Sequence, residues 1–240
     1  MIDHVQGLRE EIDRIRAVVD DLDAPVPSCP DWRVRDLLHH LGSVYRTFRR
    51  VAEEGWMERP PAPASEDRPQ ADDDGIVAWT DQQAELLVRA LERLDPSAPR
   101  WNFSPGPQVG AFIPRRMHHE SVLHRRDLEG ASGRTGRIDE PVAIDGVLEY
   151  LQVYLPRSGR WEGEAGVFHT DVTDGPTFEL ELARDRLPVV HATPGQQPDA
   201  VVAGDAESLL LAWWDRTPLT SVLQDGDPDW VQEVRRFART

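Results

Sequence analysis

The chain has 240 residues, and its 43 acidic side chains outnumber its 27 lysine and arginine side chains, giving a formal net charge of −16 at pH 7. This excess of negative charge repels phosphate backbones and anionic lipid surfaces, so neither nucleic acid nor a membrane is an expected partner. No apolar run approaches the length of a membrane span, and the charged start has no apolar signal core, so we expect a cytoplasmic protein. Cys29 is the single cysteine, which excludes an intramolecular disulfide.

Apolar residues recur at helical spacing in four segments of the first part of the chain. Pro114 falls where the first turn of the fourth segment would lie, a position at which proline is well tolerated. Two proline-rich stretches between the segments, 58–73 and 95–110, are predicted loops. Four amphipathic helices within about 130 residues predict a four-helix bundle. The helical segments are 2–22, 33–54, 74–94 and 112–128.

The fourth segment carries half of a candidate metal site. Glu120 and His124 are four residues apart, which places them about 40° apart on one helix face, and Asp127 falls on the same stripe. A carboxylate and an imidazole in this arrangement suit a divalent metal, although such a pair is also common on exposed helix surfaces. The zincin motif is absent because Leu123 occupies the position of its second histidine. His119 and His124 lie about 140° apart and cannot bind one ion together.

A third ligand has to come from another helix, and the second segment offers two adjacent histidines. Both His39 and His40 fit by pattern alone, and both are alternatively solvent-facing histidines. In a bundle, His40 can meet Glu120 and His124 from a facing helix. Two histidines and one carboxylate with an open position form the catalytic rather than the structural kind of zinc site. Asp36, four residues before His40, is a candidate acceptor for its second ring nitrogen.

Two arginine pairs flank these candidate ligands in the sequence, namely Arg115 with Arg116 and Arg125 with Arg126. They form the main basic cluster of an acidic chain, so we expect them to attract an anionic substrate locally. Cys29 has no partner histidine in its motif, and a small apolar role is expected for it instead of catalysis.

The run of amphipathic helical segments ends near Gly133, and strand signals appear further along the chain. Residues 139–155 predict one more helix, with Asp139 as its cap. Alternating apolar and polar residues then indicate half-buried strands, followed by a helix over 205–214 and a short final helix. The predicted strands are 166–174, 177–185, 187–192 and 199–204.

These elements predict an α+β fold. The boundary between a helical and a mixed part falls either near 130–140 or shortly after 156. We place a helical bundle at 1–157 and a small α+β domain at 158–240.

Three stretches resemble one known family. CPDWRVRDLLHHLGSVYR at 29–46 and HHESVLHRRDLE at 118–129 are similar to the mycothiol-dependent maleylpyruvate isomerase family, whose N-terminal part belongs to the DinB-like metal-binding helical bundles. GDAESLLLAWWDRTPL at 204–219 is similar to the second domain of that family. One departure is His39, which stands where alanine is typical and could compete as a ligand or carry protons. Another is Asp215, where a small residue is common.

The resemblance implies that His40, Glu120 and His124 are the metal ligands. Zinc is the expected ion, although two imidazoles and one carboxylate also suit iron, cobalt, nickel or manganese. It further implies mycothiol as a thiol cosubstrate, a small electrophile as substrate, and attack by a metal-activated thiolate, either for isomerisation or for thiol S-transfer. Arg216 follows a tryptophan pair and is the candidate catalytic residue that clamps a substrate carboxylate; otherwise it is an exposed helix-end arginine.

Two other functions are compatible with the same residues. One is a non-catalytic metal- or ligand-binding protein, and the other is a zinc hydrolase that uses metal-bound water. A requirement for a thiol separates the isomerase or transferase from the hydrolase. The chain is expected to be a monomer or a homodimer.

Overall fold

The computed structural model describes residues 2–61 and 74–238, so most of the predicted loop 58–73 lies outside the described residues. The chain forms two compact units. The first comprises Met1–Asn102 with Pro107–Gly136, and the second comprises Phe103–Gly106 with Arg137–Thr240. The predicted α+β class, with a helical bundle followed by a small α+β unit, is confirmed.

The first unit is a four-helix bundle in which α1 packs on α4, and α2 packs on both α3 and α4. The predicted segments all form helices, but α1 ends at Val18 instead of residue 22. The chain between α1 and α2 pairs with itself as a short antiparallel hairpin, which periodicity did not predict. The elements are α1 His4–Val18, β1 Pro25–Val26, β2 Cys29–Arg33, α2 Val34–Glu54, α3 Ile76–Leu91 and α4 Phe112–Ala131.

Helix α2 is held in place by its apolar face and by well-formed ends. Leu37 and Leu41 are fully buried in the bundle. At its start, the Arg33 backbone N–H donates to the Asp36 carboxylate at 2.8 Å, which satisfies one of the free donors of a helix N-terminus. At its end, Gly55 adopts φ 72°, a left-handed conformation that glycine takes without steric cost. Position 40 lies in the second turn of this helix, close to its capped start.

A buried ion-pair network joins α1 to α4. The Arg125 guanidinium, 1% exposed, donates to Glu11 Oε2 at 2.5 Å and to Glu129 Oε1 at 2.6 Å. Glu129 also accepts from the Gly136 backbone N–H at 2.9 Å and from Arg126 at 3.0 Å. Burial disfavours the charged forms, but the two arginines hold the pKa of Glu129 below its usual value, and the two carboxylates raise the pKa of Arg125. An unpaired buried charge would be far more costly than these pairs. The prediction that Arg125 attracts an anionic substrate is therefore wrong, since its charge is used inside the bundle.

The second unit is a five-stranded sheet in the order β5-β4-β3-β6-β7, accompanied by helices. Strands β3 and β6 are parallel, and the other neighbours are antiparallel. Its helical elements are α5 Glu140–Glu149, a π-helical turn Tyr150–Tyr154, α6 Leu155–Arg157, α7 Ala206–Trp213, a 3₁₀ turn Leu219–Val222 and α8 Pro228–Phe237. Its strands are β3 Gly166–Val172, β4 Thr177–Leu182, β5 Val189–His191, β6 Ala200–Gly204 and β7 Leu223–Asp225.

The segment 139–155 differs from its prediction in two ways. It is not one helix, because α5 passes at Tyr150 into a π-helical turn. It also belongs to the second unit, since α5 packs on α7, whereas we expected the domain boundary after residue 157. Among the described helices, none is long and apolar enough to cross a bilayer.

Replacing Glu11 with alanine tests the ion-pair network. The Glu11→Ala variant leaves the buried Arg125 with one carboxylate fewer, and we expect the free energy of unfolding to fall by about 3 kcal/mol. Denaturant unfolding followed by circular dichroism measures the change. Glu10→Ala, at an exposed position on the same helix, is the control and should stay within about 0.5 kcal/mol of the parent. Equal stability of the two variants would contradict a stabilising role for the network.

Candidate metal centre

The structure brings together the three residues that the sequence proposed as metal ligands. His40 extends from α2, and Glu120 and His124 extend from successive turns of α4. One ligand atom of each lies within 4.8 Å of the others. Glu120 Oε1 is 2.9 Å from His40 Nε2 and 3.5 Å from His124 Nε2. The two imidazole rings meet edge to face, with centroids 4.9 Å apart.

These separations fit a single divalent ion. Zinc binds imidazole nitrogen and carboxylate oxygen at about 2.0–2.2 Å, so two such donors around a tetrahedral ion are roughly 3.4 Å apart. The 3.5 Å between Glu120 Oε1 and His124 Nε2 has this value, and the 2.9 Å to His40 Nε2 requires only a small outward shift. Two histidines and one carboxylate also leave a fourth position for an exogenous ligand.

His124 is oriented by a buried carboxylate. Its Nδ1 is 2.8 Å from Asp127 Oδ2, which leaves Nε2 on the side of Glu120. Asp127 is 2% exposed, and its other oxygen accepts from Ser28 Oγ at 2.6 Å. A histidine ligand whose second nitrogen donates to a carboxylate is the usual arrangement at metal sites, because that bond fixes the tautomer and the ring plane. Asp127 is thus a buried partner of His124 and not a helix-surface acid.

The electrostatics of the site favour an ionised Glu120. Burial raises the pKa of this carboxyl, but the Arg116 guanidinium and the two histidines outweigh burial and hold the pKa well below its usual range. Burial lowers the pKa of His124, whereas its bonds to Asp127 and Glu120 raise it above the usual value. Arg116 is 1% exposed and paired with Glu120, so the prediction that it attracts an anionic substrate is wrong.

The other candidate residues of the first unit lie outside this cluster. His39 stacks on Trp79 of α3, with ring centroids 6.0 Å apart, and so faces away from the three ligand atoms. His119 contacts the ring of His4 on α1 at 5.7 Å, which agrees with the prediction that it does not share an ion with His124. Asp36 accepts the Arg33 N–H at the start of α2 and does not hold the second ring nitrogen of His40.

Trp32 is a neighbour of the candidate metal centre that sequence reasoning did not single out. Its ring lies 5.0 Å from that of His40 and 6.5 Å from that of His124, so it borders the histidine pair. A signal was present in the sequence, since Trp32 lies two residues before the amphipathic helix that carries His40. Cys29, on the same strand β2, is half-buried.

Arg216 belongs to the second unit, where it follows α7. Its Nη1 donates to the Trp214 carbonyl at 2.7 Å, and its backbone N–H donates to the Leu211 carbonyl at 2.8 Å. The side chain is half-buried and its orientation is partly fixed by its own helix end. Its role as a carboxylate clamp stays a prediction.

Fold and site together define a class, namely proteins built on a helical bundle whose interior gathers two histidines and a carboxylate suited to a divalent metal. The model of the mycothiol maleylpyruvate isomerase N-terminal domain matches residues 5–129, and the chain belongs to that family. The crystal structure of the mycothiol-dependent maleylpyruvate isomerase is similar, with a TM-score of 0.56 over 87% of this chain and 86% of that one. At 14% identity this likeness shows the fold. No curated protein matches the chain.

Asp127→Asn tests the orientation of His124 in metal-free protein. Loss of the carboxylate charge should lower the pKa of His124 toward the usual imidazole value of 6.5. Because the pKa of His124 is higher in the folded state than in the unfolded state, protonation of His124 stabilises the fold. This stabilisation is fully present below pH 6.5 and is lost as the pH rises through the folded-state pKa. The variant should therefore lose stability chiefly at the acidic end. NMR titration of the histidine Cε1 protons measures the pKa, with the half-exposed His191 of the second unit as internal control. An unchanged His124 titration would refute the assignment.

Proposed function

We propose that the protein is a mycothiol-dependent metalloenzyme that activates a thiol on a divalent metal, with zinc as the proposed ion, for attack on a small electrophile. The observation that supports this most directly is the convergence of His40, Glu120 and His124 within 4.8 Å inside a bundle of this family. Mycothiol is proposed as the thiol because the name of the family includes it.

The proposed roles follow from the contacts of each side chain. A zinc ion bound here would lower the pKa of a thiol and supply a nucleophile at neutral pH. His40 and His124 would hold the ion through Nε2, and Glu120 through Oε1. Asp127 keeps the His124 ring in the tautomer that presents Nε2. Trp32 would present an apolar ring beside the histidine pair.

Isomerisation and S-transfer share their first step. In both, the cosubstrate sulfur forms a bond to an electrophilic carbon of the substrate. In isomerisation of a cis-alkenyl oxo acid, the double bond becomes a single bond, rotates, and re-forms as the sulfur departs, so the thiol is regenerated. In S-transfer, a leaving group departs with the electron pair, or an epoxide opens and its oxygen takes a proton, and the thioether is the product.

Arg216 is the proposed clamp for a substrate carboxylate. A guanidinium offers donors in one plane that match the two oxygens of a carboxylate, which lysine cannot reproduce. The bond from its Nη1 to the Trp214 carbonyl fixes part of the orientation of the guanidinium.

Metal content tests the proposed ligands. We expect about one zinc per chain in protein purified without a histidine tag, and loss of this zinc in both His40→Ala and Glu120→Ala. Elemental analysis measures the content. His39→Ala is the matched control, because the neighbouring imidazole stacks on Trp79, and it should keep the metal. Retention in His40→Ala with loss in His39→Ala would overturn the ligand set, and a parent chain that takes up no metal would overturn the function.

Product analysis by mass spectrometry tests the thiol step. With mycothiol and a cis-alkenyl oxo acid, isomerisation gives a product of unchanged mass and no thiol consumption, whereas S-transfer gives a thiol adduct. Arg216→Lys should raise KM for a carboxylate substrate about tenfold or more, because a charge-assisted hydrogen bond is lost. Arg160→Lys, at an exposed arginine of the same unit, should leave KM unchanged. Turnover without any thiol would indicate a hydrolase, and bound zinc without turnover would indicate a non-catalytic binding protein.

A further inference from the structure

The two oxygens of Glu120 have different partners. Oε1 lies near both histidine nitrogens, at 2.9 Å from His40 Nε2 and 3.5 Å from His124 Nε2. Oε2 is paired with Nη2 of Arg116, which lies one helical turn earlier on α4. The Arg116 side chain is 1% exposed and that of Glu120 is 11% exposed, so water is largely excluded from this pair.

Because both side chains are buried, each needs the other as its charge partner. A guanidinium removed from water is tolerated only beside an anionic partner, and Arg116 and Glu120 are neighbours on the helix surface at i, i+4. Both side chains emerge from a regular helix whose backbone limits their rotamers. The carboxylate is therefore held with one oxygen toward the guanidinium and the other toward the histidines.

This orientation has a consequence for the coordination chemistry. A carboxylate with both oxygens available can chelate a divalent ion and fill two positions. With Oε2 committed to Arg116, Glu120 has one oxygen for the ion, and an additional position stays open for sulfur or substrate.

We propose that Arg116 is a positioning residue that holds Glu120 as a one-oxygen ligand of the metal centre. The inference rests on the proposed function, since it assumes that His40, Glu120 and His124 bind a metal. It assigns a role to an arginine that the sequence pattern had placed in a substrate-attracting basic cluster.

The α4 helix provides its own matched control. Arg125 is an equally buried arginine that also pairs with a glutamate four residues later, Glu129, which is not part of the candidate metal cluster. Arg116→Lys and Arg125→Lys thus remove the same planar group from two buried positions on one helix, while keeping the positive charge. Arg116→Gln removes the charge as well.

Cobalt titration of metal-free protein tests the proposal without any activity assay. We expect Arg116→Gln to bind Co²⁺ about 10- to 100-fold more weakly than the parent, Arg116→Lys to fall between them, and Arg125→Lys to stay within about twofold. The visible absorption of the cobalt-bound Arg116→Gln protein should be weaker than that of the parent, because chelation by both carboxylate oxygens raises the coordination number. Circular dichroism shows which variants are folded, and Arg116→Lys decides the test if Arg116→Gln is not.

Each contrary result has a distinct meaning. Unchanged Co²⁺ affinity and spectrum in the folded Arg116 variants would overturn the positioning role and leave the metal centre intact. An equal loss of affinity in Arg125→Lys would also overturn it, because a general weakening of α4 would then explain the effect. A parent protein that binds no Co²⁺ would overturn the proposed function itself.

Discussion

The pairing of buried charges along α4 is the constraint on which the first unit depends. Arg116, Asp127 and Arg125 are each at most 2% exposed, and each has an oppositely charged or hydrogen-bonding partner inside the bundle. Because an unpaired charge in such surroundings costs far more than the pair gains, the partners must be present before the helix can pack. One helix of 20 residues therefore carries the arginine that links it to α1 and two of the three candidate metal ligands.

The sequence alone predicted the relative placement of the two candidate ligands that lie on one helix. The spacing of Glu120 and His124 places them on one face whatever the tertiary structure, and the structure has them on successive turns. The choice between His39 and His40 was not accessible from periodicity, since both lie near the edge of the apolar face. It is decided by packing, because Trp79 of α3 occupies the side on which His39 lies. Family resemblance, and not periodicity, identified His40.

Sequence reasoning failed where polar residues are buried. In the sequence, Arg116 and Arg125 belong to arginine pairs of the kind usually found on a protein surface. Only the three-dimensional fold shows that each is buried beside a glutamate. Asp36 was matched to a histidine on its own helix, but a helix start competes for the same carboxylate and is closer. In the second unit, four of the five described strands match the predicted segments, whereas the short β7 was not predicted. The parallel pairing of β3 with β6 involves distant segments and leaves no local signal. The π-helical turn likewise inserts one extra residue per turn without a change in composition.

The short hairpin between α1 and α2 contacts the candidate metal centre at two points without contributing one of its three candidate ligands. Ser28, in its turn, bonds to the carboxylate that orients His124, and Trp32, on its second strand, lies against both imidazoles. The two ligand-bearing helices are constrained by the core that they share, whereas this connection is short and largely exposed. Substitution of Ser28 or Trp32 would therefore change the polarity around the two imidazoles without replacing any of the three candidate ligands.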